Sequence, residues 1–155
     1  MTQFRALELA ITQATQQRDA QARKHAQAQR TLQFAQGQLD QLRNYSNDTD
    51  ERWIGGHAVN LSVELVKHHY QFMDRLQNAV HLQHGVITNL EHQLASAHQT
   101  LLQAESRLAG FKQLIKARRA ALDVQQQRRE QRATDEFAAM RHTRNRAAQA
   151  LEENL

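Results

Sequence analysis

The sequence predicts an all-α protein: two long helices folded back as an antiparallel coiled-coil hairpin, the second helix longer than the first. Three observations lead there. With no Pro and only five Gly in 155 residues, few positions tell the backbone to turn. Ala, Gln, Leu, Arg and Glu dominate, and these residues lose little side-chain freedom in a helix. Apolar residues also recur in alternating steps of three and four, the spacing of a coiled-coil seam. They make up 40% of the chain, but many are Ala, which buries little area. A narrow seam between helices fits that composition better than a wide core.

Helix one is expected over about residues 3–46. Phe4, Leu7, Ile11, Ala14, Arg18, Gln21, His25, Ala28, Leu32, Ala35, Leu39 and Leu42 hold one unbroken heptad phase. Both ends of this series are apolar, and its centre, Arg18 to His25, is polar. The plain reading is a seam with a wet middle; the sharper one is that the polar middle faces a partner.

A turn is expected over about 47–57. Asn44 to Asp50 (NYSNDTD) is made of residues whose side chains prefer local bonds to the backbone, and Gly55-Gly56 follows. Trp53 and Ile54 would cap the seam at this end, where an amphipathic Trp ring packs well.

Helix two is expected over about 58–150, with Asn60 as a candidate N-cap. From there the seam is expected to resume through Ala58, Leu61, Leu65, His68, Phe72, Leu76, Ala79, Gln83, Val86, Leu90, Leu94, Ala97, Leu101, Ala104, Leu108, Phe111 and Ile115. Consecutive four-residue steps at Phe72 and at Leu90 read as stutters that locally unwind the supercoil. Gly85 and Gly110 each weaken the helix by about 1 kcal/mol, tolerable in an element this long. At 1.5 Å per residue the helices would span roughly 65 and 135 Å, so helix one covers only the first half of helix two. From about Arg107 onward the second helix is expected to overhang. A lone helix is marginal in water unless its apolar stripe is covered, so the overhang points to a binding partner.

The overhang is basic, carrying Lys116, Arg118, Arg119, Arg128, Arg129, Arg132, Arg141, Arg144 and Arg146. Such a face either keeps the helix solvated or attracts an acidic partner. The whole chain has a formal charge of +4. It has no Cys, which excludes disulfides and Cys-based chemistry and fits a cytosolic setting. The first 25 residues contain no apolar signal core, and no stretch approaches a membrane span, so a soluble protein is expected.

Catalysis needs residues converging on a pocket, which a two-helix hairpin lacks, and no phosphate loop, nucleophile motif or HExxH is present. No enzyme activity, cofactor or metal is therefore expected. His81 and His84 are one turn apart and His68 and His69 adjacent, but no helical His pair combines the i, i+4 spacing with a nearby carboxylate that zinc enzymes use. Nucleic-acid binding through the Arg-rich half lacks the interleaved aromatics of a stacking platform. A generic basic adaptor for nucleic acid or an anionic membrane stays as the alternative to a protein-binding role.

One stretch stands apart. In HHYQFMDRLQNA, residues 68–79, Tyr70, Phe72 and Met73 crowd together in a chain with 5% aromatics. The frame YQFMDRLQNAVHLQ resembles the central signature of the FliJ family of the bacterial flagellar type III export apparatus. The segment from Leu7 to Tyr45 is similar to that family's first helix, and RLAGFKQLIKARR and the DEFA block at Asp135 to Ala138 to its later ones. The resemblance covers most of the chain. It implies an antiparallel two-helix coiled coil like a rotary-ATPase stalk, cytoplasmic and peripherally associated with the inner face of the cell membrane at the flagellar base. It implies three partners: the pore of the hexameric flagellar export ATPase, the cytoplasmic domain of the export gate, and export chaperones. It carries a gate contact over to Phe72, Leu76, Ala79 and Gln83, where Gln83 stands in place of the His usual at the fourth position. For the ATPase pore, the basic overhang offers Arg118, Arg119, Arg128, Arg129, Arg132, Phe137 and Arg141. Periodicity alone puts Phe72 and Leu76 in the seam instead; the resemblance expects the stretch to be partly exposed.

Overall fold

The computed structural model describes residues 2–55 and 62–155, with side chains described over 4–54 and 62–155. Helix α1 spans Thr2–Gly55 and helix α2 spans Val63–Glu153, 54 and 91 residues long. No strand occurs among the described residues. The fold is a helical hairpin with a longer second arm, as the composition predicts. The chain divides into two compact units, Gln13–Leu108 and Met1–Thr12 with Ala109–Leu155.

In the unit Gln13–Leu108 the two helices run antiparallel: Trp53 meets His69, Gln83 meets Ala35, and His25 meets His98. The core is a cluster of Leu32, Ala35, Leu39 and Ile87, with Val80, Leu90 and Leu94 packed against it. Burying a Leu or Ile side chain contributes about 2 kcal/mol, and these few layers are the apolar anchor of the unit. In its middle the seam is wet, as its composition predicts. Arg18, Gln21 and His25 are half-buried, the Arg18 Nε donates to Asp19 Oδ1 at 2.8 Å, and the His25 and His98 rings lie 5.5 Å apart.

Two features differ from the expectation. First, helix one does not end near 46 with a turn over about 47–57; α1 continues to Gly55. Ser46, Thr49 and Trp53 prolong the heptad phase of Leu42 and stay half-buried. Trp53 stacks flat on His69 with ring centroids 3.9 Å apart, His69 Nε2 lies 3.9 Å from Asp50 Oδ1, and the Thr49 hydroxyl donates to the Tyr45 carbonyl at 2.7 Å. Packing of this kind overrides the weak preference of Asn, Ser and Asp for turns. Asn60, the expected N-cap, and Ala58 and Leu61, expected in the seam, lie outside the described residues. The cap observed is Ser62, whose Oγ accepts from the Leu65 amide at 3.3 Å, three residues on, as an N-cap does.

Second, the seam of α2 has no stutter. Its buried and half-buried line runs Val66, His69, Met73, Leu76, Val80, Gln83, Ile87, Leu90, Leu94, Ala97, Leu101, Ala104 and Leu108. That is a strict alternation of three and four. The larger side chains Leu65, Phe72 and Val86 sit one position before seam residues and are exposed. A seam is set by constancy of phase, so His69 and Gln83 are taken in and Phe72 is left at its edge.

In the other unit, Leu7 and Ile115 are buried, and Phe4, Ile11 and Phe111 are half-buried. Arg119 donates to Glu8 Oε1 at 3.1 Å, and its guanidinium carbon lies 5.7 Å from the centre of the Phe4 ring. From Lys116 to Leu155 every residue is exposed. Bare helix therefore begins after Ile115, later than the expected Arg107. Because α1 ends later in the chain, its first turns cover α2 correspondingly further toward the C-terminal end.

Candidate partner-binding surfaces

A coiled-coil seam leaves two edges, the residues just before its a positions (g) and those just after its d positions (e). In the unit Gln13–Leu108 these edges differ in chemistry. The g positions of α2 are Leu65, Phe72, Ala79 and Val86, seven residues apart, with Leu82 on the same side. Tyr45 is the matching g residue of α1 and meets Phe72 edge to face at 6.1 Å. Phe72 is 38% exposed, Leu82 70% and Tyr45 55%. Large apolar groups this exposed, in a row, mark a contact surface better than scattered ones would.

The four residues expected at the gate contact divide between edge and seam. Phe72 lies on the apolar edge, and Ala79 is half-buried beside it. Leu76, only 9% exposed, belongs to the seam. Gln83 also points inward: its side-chain amide donates to the Ala35 carbonyl at 2.8 Å and to Gln38 Oε1 at 3.3 Å. A partner on this side meets Phe72 and Ala79 directly, and reaches Leu76 and Gln83 only through them. The sequence reading placed Leu65 and Val86 in the seam and did not single out Tyr45 or Leu82 as edge residues. The seven-residue spacing from Leu65 to Val86 was the available signal.

The e edge is polar. Arg43 Nη2 lies 2.9 Å from His84 Nε2 across the helices. These two residues, with Ser46, Asn47, Gln77 and His81, line a cleft over Val80.

On the bare part of α2, Arg118, Arg128, Arg129, Arg132, Phe137 and Arg141 are all exposed. Arg119, also exposed, is engaged by Glu8 and Phe4. Counting on from Ile115 in heptad phase meets Arg118, Leu122, Gln125, Arg129, Arg132 and Glu136, so the apolar seam stops at Leu122. A separate stripe then begins one position further round the helix: Ala133, Phe137, Met140, Ala147 and Leu151, its three large members exposed. The basic residues are not confined to one side. On a helical wheel Arg128, Arg132 and Arg146 share a side, while Arg141 and Arg144 fall roughly opposite.

Among the described residues there is no group of three or more His, Asp or Glu placed to hold a metal ion. No described helix is long and apolar enough to cross a membrane.

In comparison with known proteins, a family model described as "Flagellar FliJ protein" matches residues 3–147. No curated protein and no solved structure matches.

Proposed function

The chain belongs to the FliJ family and is a component of the flagellar export apparatus, and within that apparatus we propose that it serves as a non-enzymatic stalk and escort. Its bare C-terminal helix enters the pore of the hexameric export ATPase. The apolar edge around Phe72 meets the cytoplasmic domain of the export gate. The chain also handles export chaperones, and works at the inner face of the cell membrane at the flagellar base.

The observation that carries this reading is the helix beyond Ile115, continuous and exposed at every residue from Lys116 on. Its apolar stripe is too short of partners to be a seam, and its Arg residues are spread around the axis. A flat anionic surface engages one side of a helix; a ring encloses all of it. Circumferential charge therefore favours a pore over a membrane or a duplex. On the gate side, Phe72 supplies an exposed ring already steadied by Tyr45. Desolvated aromatic anchors of this kind carry much of an interface's binding energy.

Two measurements test the proposal. Purified protein added to the cognate export ATPase should raise its rate of ATP hydrolysis and co-sediment with the ring. Phe72→Ala should weaken gate binding by about tenfold, the scale of losing one aromatic anchor, with ATPase stimulation kept. If both Phe72→Ala and Ala79→Asp bind the gate as the parent does, the surface is misassigned. The competing basic-adaptor reading predicts tight duplex-DNA or anionic-vesicle binding that falls steeply with salt. A salt titration against each separates it from the stalk.

A further inference from the structure

The polar e edge has a use that the export reading does not require. The cleft between the helices there, about 330 Å³, is rich in donors: Arg43 and Asn47 from α1, and Gln77, His81 and His84 from α2. No carboxylate lines it. The nearest acids along each helix, Asp40 one turn before Arg43 and Asp74 one turn before Gln77, are absent from its wall. Neither forms an ion pair with Arg43, whose contact among the described residues is His84.

That contact has a definite sense. A guanidinium can only donate, so His84 Nε2 is the acceptor at 2.9 Å. Arg43 is thus parked on a weak, neutral acceptor although it is built for a charged one. An entering oxyanion replaces that acceptor: Arg43 forks onto it, and an imidazole N–H of His81 and of His84 donates as well. A planar carboxylate offers two oxygens to these groups; a tetrahedral phosphate offers more, and it matches a guanidinium, two imidazoles and two side-chain amides converging from both helices. The volume exceeds what one oxyanion needs and leaves space for whatever the phosphate is attached to.

We propose that the Arg43–His81–His84 cleft is a phosphate-binding site, for inorganic phosphate or a phosphorylated lipid headgroup, formed jointly by α1 and α2. It stands independently of the gate and ATPase assignments. The test is an NMR titration of the imidazole resonances of the full chain, first with inorganic phosphate, then with phosphatidylcholine vesicles with and without phosphatidic acid.

The expected result is a saturable shift confined to His81 and His84 among the nine His. Arg43→Gln should weaken it about tenfold, the effect of losing one charged hydrogen bond. His84→Gln should weaken the shift remaining at His81. A variant with Arg128, Arg129 and Arg132 all changed to Gln should retain it. A response to inorganic phosphate alone identifies the free anion; a response to phosphatidic acid vesicles alone identifies the headgroup. Arg43 and His84 are exposed, so both single variants should keep the helix content of the parent by circular dichroism. No saturable shift at His81 and His84 with either probe overturns the assignment. So does a shift that survives both substitutions, or one spread over the other His.

Discussion

The two stretches of α2 on either side of Ile115 are equally helical, yet different forces hold them. Before it, a repeating line of side chains is hidden against α1; after it, nothing is hidden. The early stretch can tolerate residues unfavourable to a seam, such as His69 and Gln83, because its neighbours Leu76 and Ile87 are buried on either side. The late stretch depends on composition alone. Ala, Gln and Arg favour the helix weakly at each position, and among the described residues only the exposed contacts of Arg119 with Glu8 and Phe4 add to that. The contrast teaches that helical content and packing report separate things in this molecule. A partner therefore finds a preformed but unattached element.

That contrast can be broken most severely in the buried cluster. Leu39→Asp places a carboxylate in the layer of Leu32, Ala35 and Ile87, with both lost burial and an unpaired charge to bear. It should cost about 4 kcal/mol, seen as collapse of the thermal transition. The next effect has the opposite sign. His25→Leu, in the wet middle of the seam, exchanges a half-buried imidazole for a group that packs, and should raise stability by about 1 kcal/mol in urea melts. It should also make oligomers more prevalent in sedimentation, because polar seam residues restrict alternative pairings.

Glycines sharpen the comparison further. A Cβ at Gly85 or Gly110 meets nothing within 4 Å, and both are inside α2. Gly85→Ala and Gly110→Ala should each stabilise by up to about 1 kcal/mol through helix propensity. The smallest effect is expected beyond Ile115. Phe137→Ala, where the ring is 69% exposed, should leave the melting midpoint within about 0.5 kcal/mol of the parent. It should nonetheless reduce stimulation of the export ATPase. A large fall in stability there would mean that something in the chain covers Phe137 after all.

Much of the fold could be read from the sequence because the rule behind it is one-dimensional. Phase, once set by Phe4 and Leu7, repeats through Leu42 and fixes which face of α1 is hidden. The end of α1 was harder, since Asn44 to Asp50 carries turn-forming residues while its helicity is held by contacts with a distant segment: Tyr45 with Phe72 and Trp53 with His69. No local reading contains that information. The phase of α2 was obscured for another reason. Size draws the eye to Leu65, Phe72 and Val86, whereas burial follows His69, Met73, Val80 and Ile87. The candidate gate residues inherited the same ambiguity, and Leu76 and Gln83 proved to face α1. The Arg43–His84 contact joins two helices across a register that the sequence does not state, so it had no local signature.

The face-to-face placement of Trp53 and His69 has an experimental consequence. Trp53 is the chain's one indole, so ultraviolet emission samples the surroundings of that ring alone. Ellipticity, by contrast, averages over every peptide from Thr2 to Glu153. Recorded together during heating, the two signals give a spatially resolved view of melting without any attached dye.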